Sequence, residues 1–184
     1  MGAGLTFQGG VSTGRTVTDN CEILAQLPEI SPLGLPYCHQ VTDFLTQIKF
    51  LGSYNLPKVD VAVSGSFQSL PGPQLAANQV VLNAAVRPSL GRDLTGGAAN
   101  VTVNLVPPGA LFGERLNQLD IRFAKVLKLT GTRAAINLDL YNLFNVSTVL
   151  TENPSYANAT ATGWRVPTSI LTARFAKISV QFDF

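Results

Sequence analysis

The sequence predicts an all-β fold: an antiparallel up-and-down meander of about six long strands, part of a transmembrane β-barrel. Three observations carry this expectation. Apolar and polar residues alternate over runs of about ten positions, the period of a strand with one apolar face. Of the 184 residues 46% are hydrophobic and 13% charged, about half the charged share usual in a soluble domain. Finally, the segments joining the runs alternate strictly between long and short.

The first strand, near 4 to 15, sets Leu5, Phe7, Gly9 and Val11 against Thr6, Gln8, Gly10 and Ser12, and its glycines weaken the facial signal. The second, near 43 to 56, alternates Ile48, Phe50, Gly52, Tyr54 and Leu56 with Gln47, Lys49, Leu51, Ser53 and Asn55. Pro57 and Lys58 turn it into the third, near 59 to 70, where Val59, Val61, Val63, Gly65 and Phe67 oppose Asp60, Ala62, Ser64, Ser66 and Gln68. A second hairpin joins strands near 115 to 129 and 133 to 145 through Thr130-Gly131-Thr132. Its apolar positions are Leu119, Ile121 and Phe123, then Ala134, Ile136, Leu138 and Leu140. Lys125 falls on the apolar parity, which calls for a bulge, a flip or a snorkelling side chain. The last strand, near 168 to 184, puts Ile178, Val180, Phe182 and Phe184 on one face and Lys177, Ser179, Gln181 and Asp183 on the other. Val101, Val103 and Leu105 alternate with Thr102 and Asn104, enough for a short strand inside a connection.

Long connections run from Thr16 to Val41, Pro71 to Gly113 and Val146 to Pro167, with turns at Pro57 and Gly131 between them. In a meander this puts every long loop at one end of the sheet, the asymmetry of outer-membrane barrels. Strands near ten residues match a tilted bilayer crossing, whereas soluble strands average about five or six. Aromatic residues recur near strand ends, at Phe44, Tyr54, Phe67, Tyr141, Phe144, Phe182 and Phe184, as interfacial girdles require. Six strands fall short of the roughly eight of the smallest single-chain bacterial barrels, so the segment is expected to end a larger one. A soluble β-sandwich acting as a binding or adhesion module is the alternative, with the same alternation.

Several classes are set aside. No apolar run approaches the roughly 18 residues of a membrane helix. Lys and Arg are scattered and the net charge is +2, which leaves no nucleic-acid footprint. One histidine, no Gly-rich phosphate loop and no paired carboxylates give no catalytic set. Neither an enzyme nor a cofactor is expected. His39, beside Cys38 and near Asp43, is read as a solvated loop residue rather than a metal ligand. Cys21 and Cys38 lie in a Pro-rich, strand-poor segment without CxxC spacing and are expected to form a disulfide in an exported loop.

The stretches FLTQIKFLGSYNLPKVDVAVSGSFQSLPGPQLAAN (44–78), GERLNQLDIRFAKVLKL (113–129), RAAINLDLYNLFN (133–145) and WRVPTSILTARFAKISVQFDF (164–184) resemble the C-terminal barrel strands of TonB-dependent outer-membrane receptors. The likeness is to the Oar-like group, whose members carry a carboxypeptidase-regulatory-like domain before the plug. It implies that residues 1–184 form one partial domain in the bacterial outer membrane. Its partners would be lipid, the remainder of an approximately 22-stranded barrel with its plug, the barrel-assembly machinery, and a TonB complex reached through an N-terminal part. Energy-coupled movement of a ligand across the membrane would be the function. The opening MGAGLTFQGG has none of the features of a secretory leader, so leader, TonB-contacting segment and plug would lie elsewhere. Ile178, Val180, Phe182 and Phe184 resemble the C-terminal signal read by the assembly machinery. Asp120, Arg122 and Asp139 suit an ion-pair ladder facing the plug or, equally, a solvated polar face.

Overall fold

A computed structural model describes residues 4–26, 37–129, 132–156 and 163–183. Six long strands form one antiparallel sheet: β1 (Leu5–Gly14), β4 (Leu45–Leu56), β5 (Val61–Leu70), β8 (Leu116–Leu129), β9 (Thr132–Tyr141) and β12 (Phe175–Asp183). Their order is β1-β4-β5-β8-β9-β12, so each pairs with its neighbour along the meander. The order is linear, and no strand among the described residues joins β12 to β1.

Three two-stranded ribbons occupy the long connections. The first holds β2 (Val17–Asp19) with β3 (His39–Val41), and between them the short helix α1 (Cys21–Gln26). The second pairs β6 (Asn78–Leu82) with β7 (Asn100–Asn104) and carries helix α2 (Asn83–Leu90). The alternation at Val101 and Val103 thus belongs to a real strand, ending one residue short of Leu105. The third pairs β10 (Val149–Glu152) with β11 (Pro167–Ile170).

Four of the six long strands lie within about two residues of their sequence-based bounds; β9 and β12 depart from them. The turn after β4 takes residues 57–60, with Asp60 at φ 46°, so β5 starts at Val61 rather than Val59. The strand expected near 168 to 184 is really two elements. Residues 167–170 turn back onto β10, residues 171–174 belong to no strand, and β12 begins at Phe175. The cause lies in the turn leaving β9: Asn142 and Asn145, both at positive φ, capture the Thr172 carbonyl and the Arg174 N–H. The same turn ends β9 at Tyr141 rather than near 145. Residues 130 and 131 of the second hairpin turn lie outside the described residues.

Lys125 causes no bulge. Pairing is unbroken on both sides of it, with Val61 on β5 and Ile136 on β9. Its ammonium instead reaches past the end of β5 and donates to the Val59 carbonyl in the turn, which is the snorkelling solution.

Candidate functional site

Cross-strand partners in an antiparallel sheet point to the same side, so the register resolves the two faces. One row runs Leu5, Tyr54, Val63, Phe123, Leu138, Ile178, and the next Phe7, Gly52, Gly65, Ile121, Leu140, Ala176. A third runs Leu56, Val61, Lys125, Ile136, Val180. The apolar face is therefore continuous across all six strands. No described element covers it: Leu5 is 74% exposed, Phe7 68% and Ile178 75%.

The apolar band has polar borders. Toward the long loops stand Thr13 opposite Thr46 and Ser69 opposite Asn117, tied by hydroxyl hydrogen bonds of 3.0 and 2.7 Å. Arg115 adds a bond to the Thr46 carbonyl at 3.0 Å. Toward the short turns stands Lys125. Within the band the facing pair Gly52 and Gly65 leaves a depression rimmed by Phe7, Tyr54, Val63 and Ile121. Phe7 and Phe50 stack beside it at 5.4 Å, and the Phe50 ring fills the space that a Cβ at Gly9 would need.

The opposite face carries hydrogen-bonded pairs of its own. Arg122 clasps Asp139 through both guanidinium and carboxylate edges, Nη2 to Oδ2 at 3.1 Å, and Asp139 is only 3% exposed. Gln68 donates to Gln118 at 3.0 Å, Gln118 donates to Asp120 at 3.0 Å, and Asp120 accepts the Asn142 N–H at 2.8 Å. Of the three charges expected in a ladder, Arg122 and Asp139 are thus joined, while Asp120 serves the turn after β9. Tyr141 also faces this side, stacked on Phe175 at 4.6 Å, and so is not part of a girdle on the apolar face.

The long-loop end has its own packing. Cys21 and Cys38 are joined in a disulfide. Beside it Asp19 accepts from the Cys21 N–H at 3.1 Å and pairs with His39 Nδ1 at 2.9 Å. The hydrogen bond from His39 leads the effects that hold the Asp19 carboxyl below its ordinary pKa. His39 therefore faces Asp19 rather than Asp43, and no group of three metal-ligating side chains occurs among the described residues. Trp164 donates to the Ala76 carbonyl at 3.0 Å and meets Tyr156 edge-on, which links the second and third loops at Ala76, between buried Leu75 and Ala77 in the chain. Arg165 pairs with Glu152 at 2.9 Å, and that hydrogen bond holds its guanidinium more firmly protonated. Asn142, 2% exposed, donates to the carbonyls of Val146 and Thr172 and accepts from the Val146 N–H.

Ile178, Val180 and Phe182 lie together on the apolar face of β12; Phe184 is outside the described residues. Sequence reasoning missed the Asn142 turn, the Asp19 pair, Trp164 and the glycine depression. Only the NLFN run at 142–145, with two asparagines suited to left-handed backbone, held a readable signal.

No family model matches the chain, and neither the curated proteins nor the solved structures contain a match to it.

Proposed function

We propose that this chain is the C-terminal segment of an outer-membrane barrel, serving a TonB-dependent receptor that moves a ligand across the membrane. The uncovered apolar face spanning six strands carries the proposal. In water such a face is a large unfavourable exposure; against acyl chains it is the required surface. The strands, 9 to 14 residues long, suit a tilted crossing that needs about 9 to 11. The polar face, with the Arg122–Asp139 pair and the Gln68–Gln118–Asp120 chain on it, suits a plugged lumen.

A soluble sandwich requires a second sheet over the apolar face. The remaining sheets are two-stranded ribbons within the long connections. In lipid, the outer edges of β1 and β12 require partners, because each unsatisfied backbone group there costs several kcal/mol. Further strands of the same barrel are the proposed partners. The receptor class rests on the sequence resemblance, and energy coupling would pass through the plug and TonB complex.

Expression with and without detergent tests the membrane reading: the chain should stay dispersed only with detergent, and a monodisperse protein in plain buffer would contradict it. The assembly role is tested in cells expressing the parent receptor. Deleting Phe184 should deplete the outer-membrane pool far more than Gln181→Ala, and equal pools would remove the case for a C-terminal signal.

A further inference from the structure

We propose that Lys58 and Lys125, at the short-turn end of the apolar face, bind the phosphate of an anionic phospholipid whose acyl chain lies in the Gly52–Gly65 depression. The proposal rests on the membrane reading above and adds a specific lipid site to it.

Among the described residues of the six strands, Lys125 is the one charged side chain on the apolar face. Its bond to the Val59 carbonyl uses one of three ammonium N–H donors. The other two sit at the edge of an apolar band, where an unmatched charge is costly and an anion is the natural partner. Lys58 is exposed in the adjoining turn. The nearby carboxylate, Asp60, is already paired with Lys128 at 3.3 Å, and Lys128 belongs to the opposite face, beside Arg133. Lys58 and Lys125 therefore have no ion-pair partner among the described residues, and the Lys125 ammonium is bonded to Val59, the residue next to Lys58.

The depression begins one row above them. Val61 pairs with Lys125, Val63 with Phe123, Gly65 with Ile121 and Phe67 with Leu119. The six steps from Val61 to Phe67 span about 20 Å along the strand. At a tilt of about 45° this becomes roughly 14 Å, close to half of an approximately 30 Å hydrocarbon core. A headgroup at the lysines thus places its acyl chain over the glycines, between Phe7, Tyr54 and Ile121. A leucine at Gly65 would fill that space at little cost to the sheet, since a Cβ there makes ordinary contacts, 3.4 Å to the Asp120 carbonyl and 3.9 Å to Ile121.

Native mass spectrometry of the full chain, delipidated in a non-ionic detergent and titrated with phosphatidylglycerol or phosphatidylcholine, tests this. Phosphatidylglycerol should be retained about tenfold more, a difference equivalent to about 1.4 kcal/mol. Lys58→Gln with Lys125→Gln should abolish the preference, Lys125→Arg should keep it, and Lys49→Gln on the polar face should leave it intact. Gly65→Leu should lower retention of both lipids without changing their ratio. Circular dichroism checks that each variant keeps its strands; if Lys125→Gln does not, Lys58→Gln alone should still reduce the preference severalfold. Equal retention of both lipids by the native chain would overturn the proposal while the detergent requirement, and with it the membrane reading, stood. Displacement of the lipid by glycerol phosphate at similar concentration would overturn it too, by showing a simple anion site. A chain that takes up neither detergent nor lipid would end both readings.

Discussion

The sheet and the long-loop end solve the burial problem in opposite ways. Of the four apolar side chains buried among the described residues, Leu24, Leu75 and Ala77 belong to the loop segments and Ala134 to the sheet. The loop end also holds a disulfide, the Trp164 anchor and the Asn142 turn. It packs against itself. The six strands are held by unbroken backbone ladders and present Leu5, Phe7, Ile178 and Val180 outward with no described element over them. One chain thus carries two surfaces suited to two solvents, and the border between them runs along Thr13, Thr46, Ser69 and Asn117.

The largest expected effect comes from putting a charge on the face assigned to lipid. Leu138→Arg should cost up to about 4 kcal/mol in urea unfolding from vesicles, the range for arginine near the bilayer midplane. Asn137→Arg, one residue away and facing the polar side, should cost well under half of that. Equal costs would erase the distinction between the faces.

On the loop side, Cys21→Ser with Cys38→Ser should lower stability of that segment by about 3 kcal/mol, from the chain entropy released by opening a loop of this size. Proteolysis rates at the loop report it, and the strands should remain protected. Asn142→Ala should cost about 2 kcal/mol in the same unfolding assay, because the Val146 N–H and the Thr172 carbonyl lose a buried partner. Its exchange signature should be confined to residues around 142–146 and 171–174.

The smallest effect depends on pH. The Asp19 carboxyl titrates lower in the folded chain than in the unfolded one, chiefly through its hydrogen bond with His39. The unfolded chain therefore binds the proton more readily, so the contribution is present above the ordinary carboxylate pKa and is lost as pH falls through the depressed one. Amide exchange at β2 and β3 should quicken below about pH 4, while Asp19→Asn should remove that acid dependence. Exchange in β8 and β9 should not follow it.

The same contrast explains what was legible in the sequence. Six strands show in the alternation because one face of the sheet is apolar and the other polar, and a period of two repeated over ten residues is hard to produce otherwise. Lys125 stood out for the same reason, as a break in a strong pattern. The loop ribbons are three to five residues long and carry too few turns of the period to stand out, except β7, which showed through Val101 and Val103. Helix α2 contains Pro88, which argues against a helix in any local reading. Residues 167–174 alternate well enough to pass as the start of the last strand; the hydrogen bonds that divide them come from Asn142 and Asn145, about thirty positions earlier. Cys21 and Cys38 were readable as a pair, whereas the Asp19 and His39 clasp beside them depends on a three-residue ribbon.

The central claim is that the apolar face meets lipid, and site-directed spin labelling of the vesicle-bound chain tests it most directly. Single cysteines replacing Phe123, Ile136, Leu138 and Ile178, and then Arg122, Asn137 and Ser179, would each carry a nitroxide. Collisions with molecular oxygen should be frequent at the first four and collisions with a water-soluble nickel chelate rare, with the opposite balance or protection from both at the last three. Protection of the first four from oxygen and nickel alike would mean that protein covers the face, and the account of a lipid-facing sheet would be wrong.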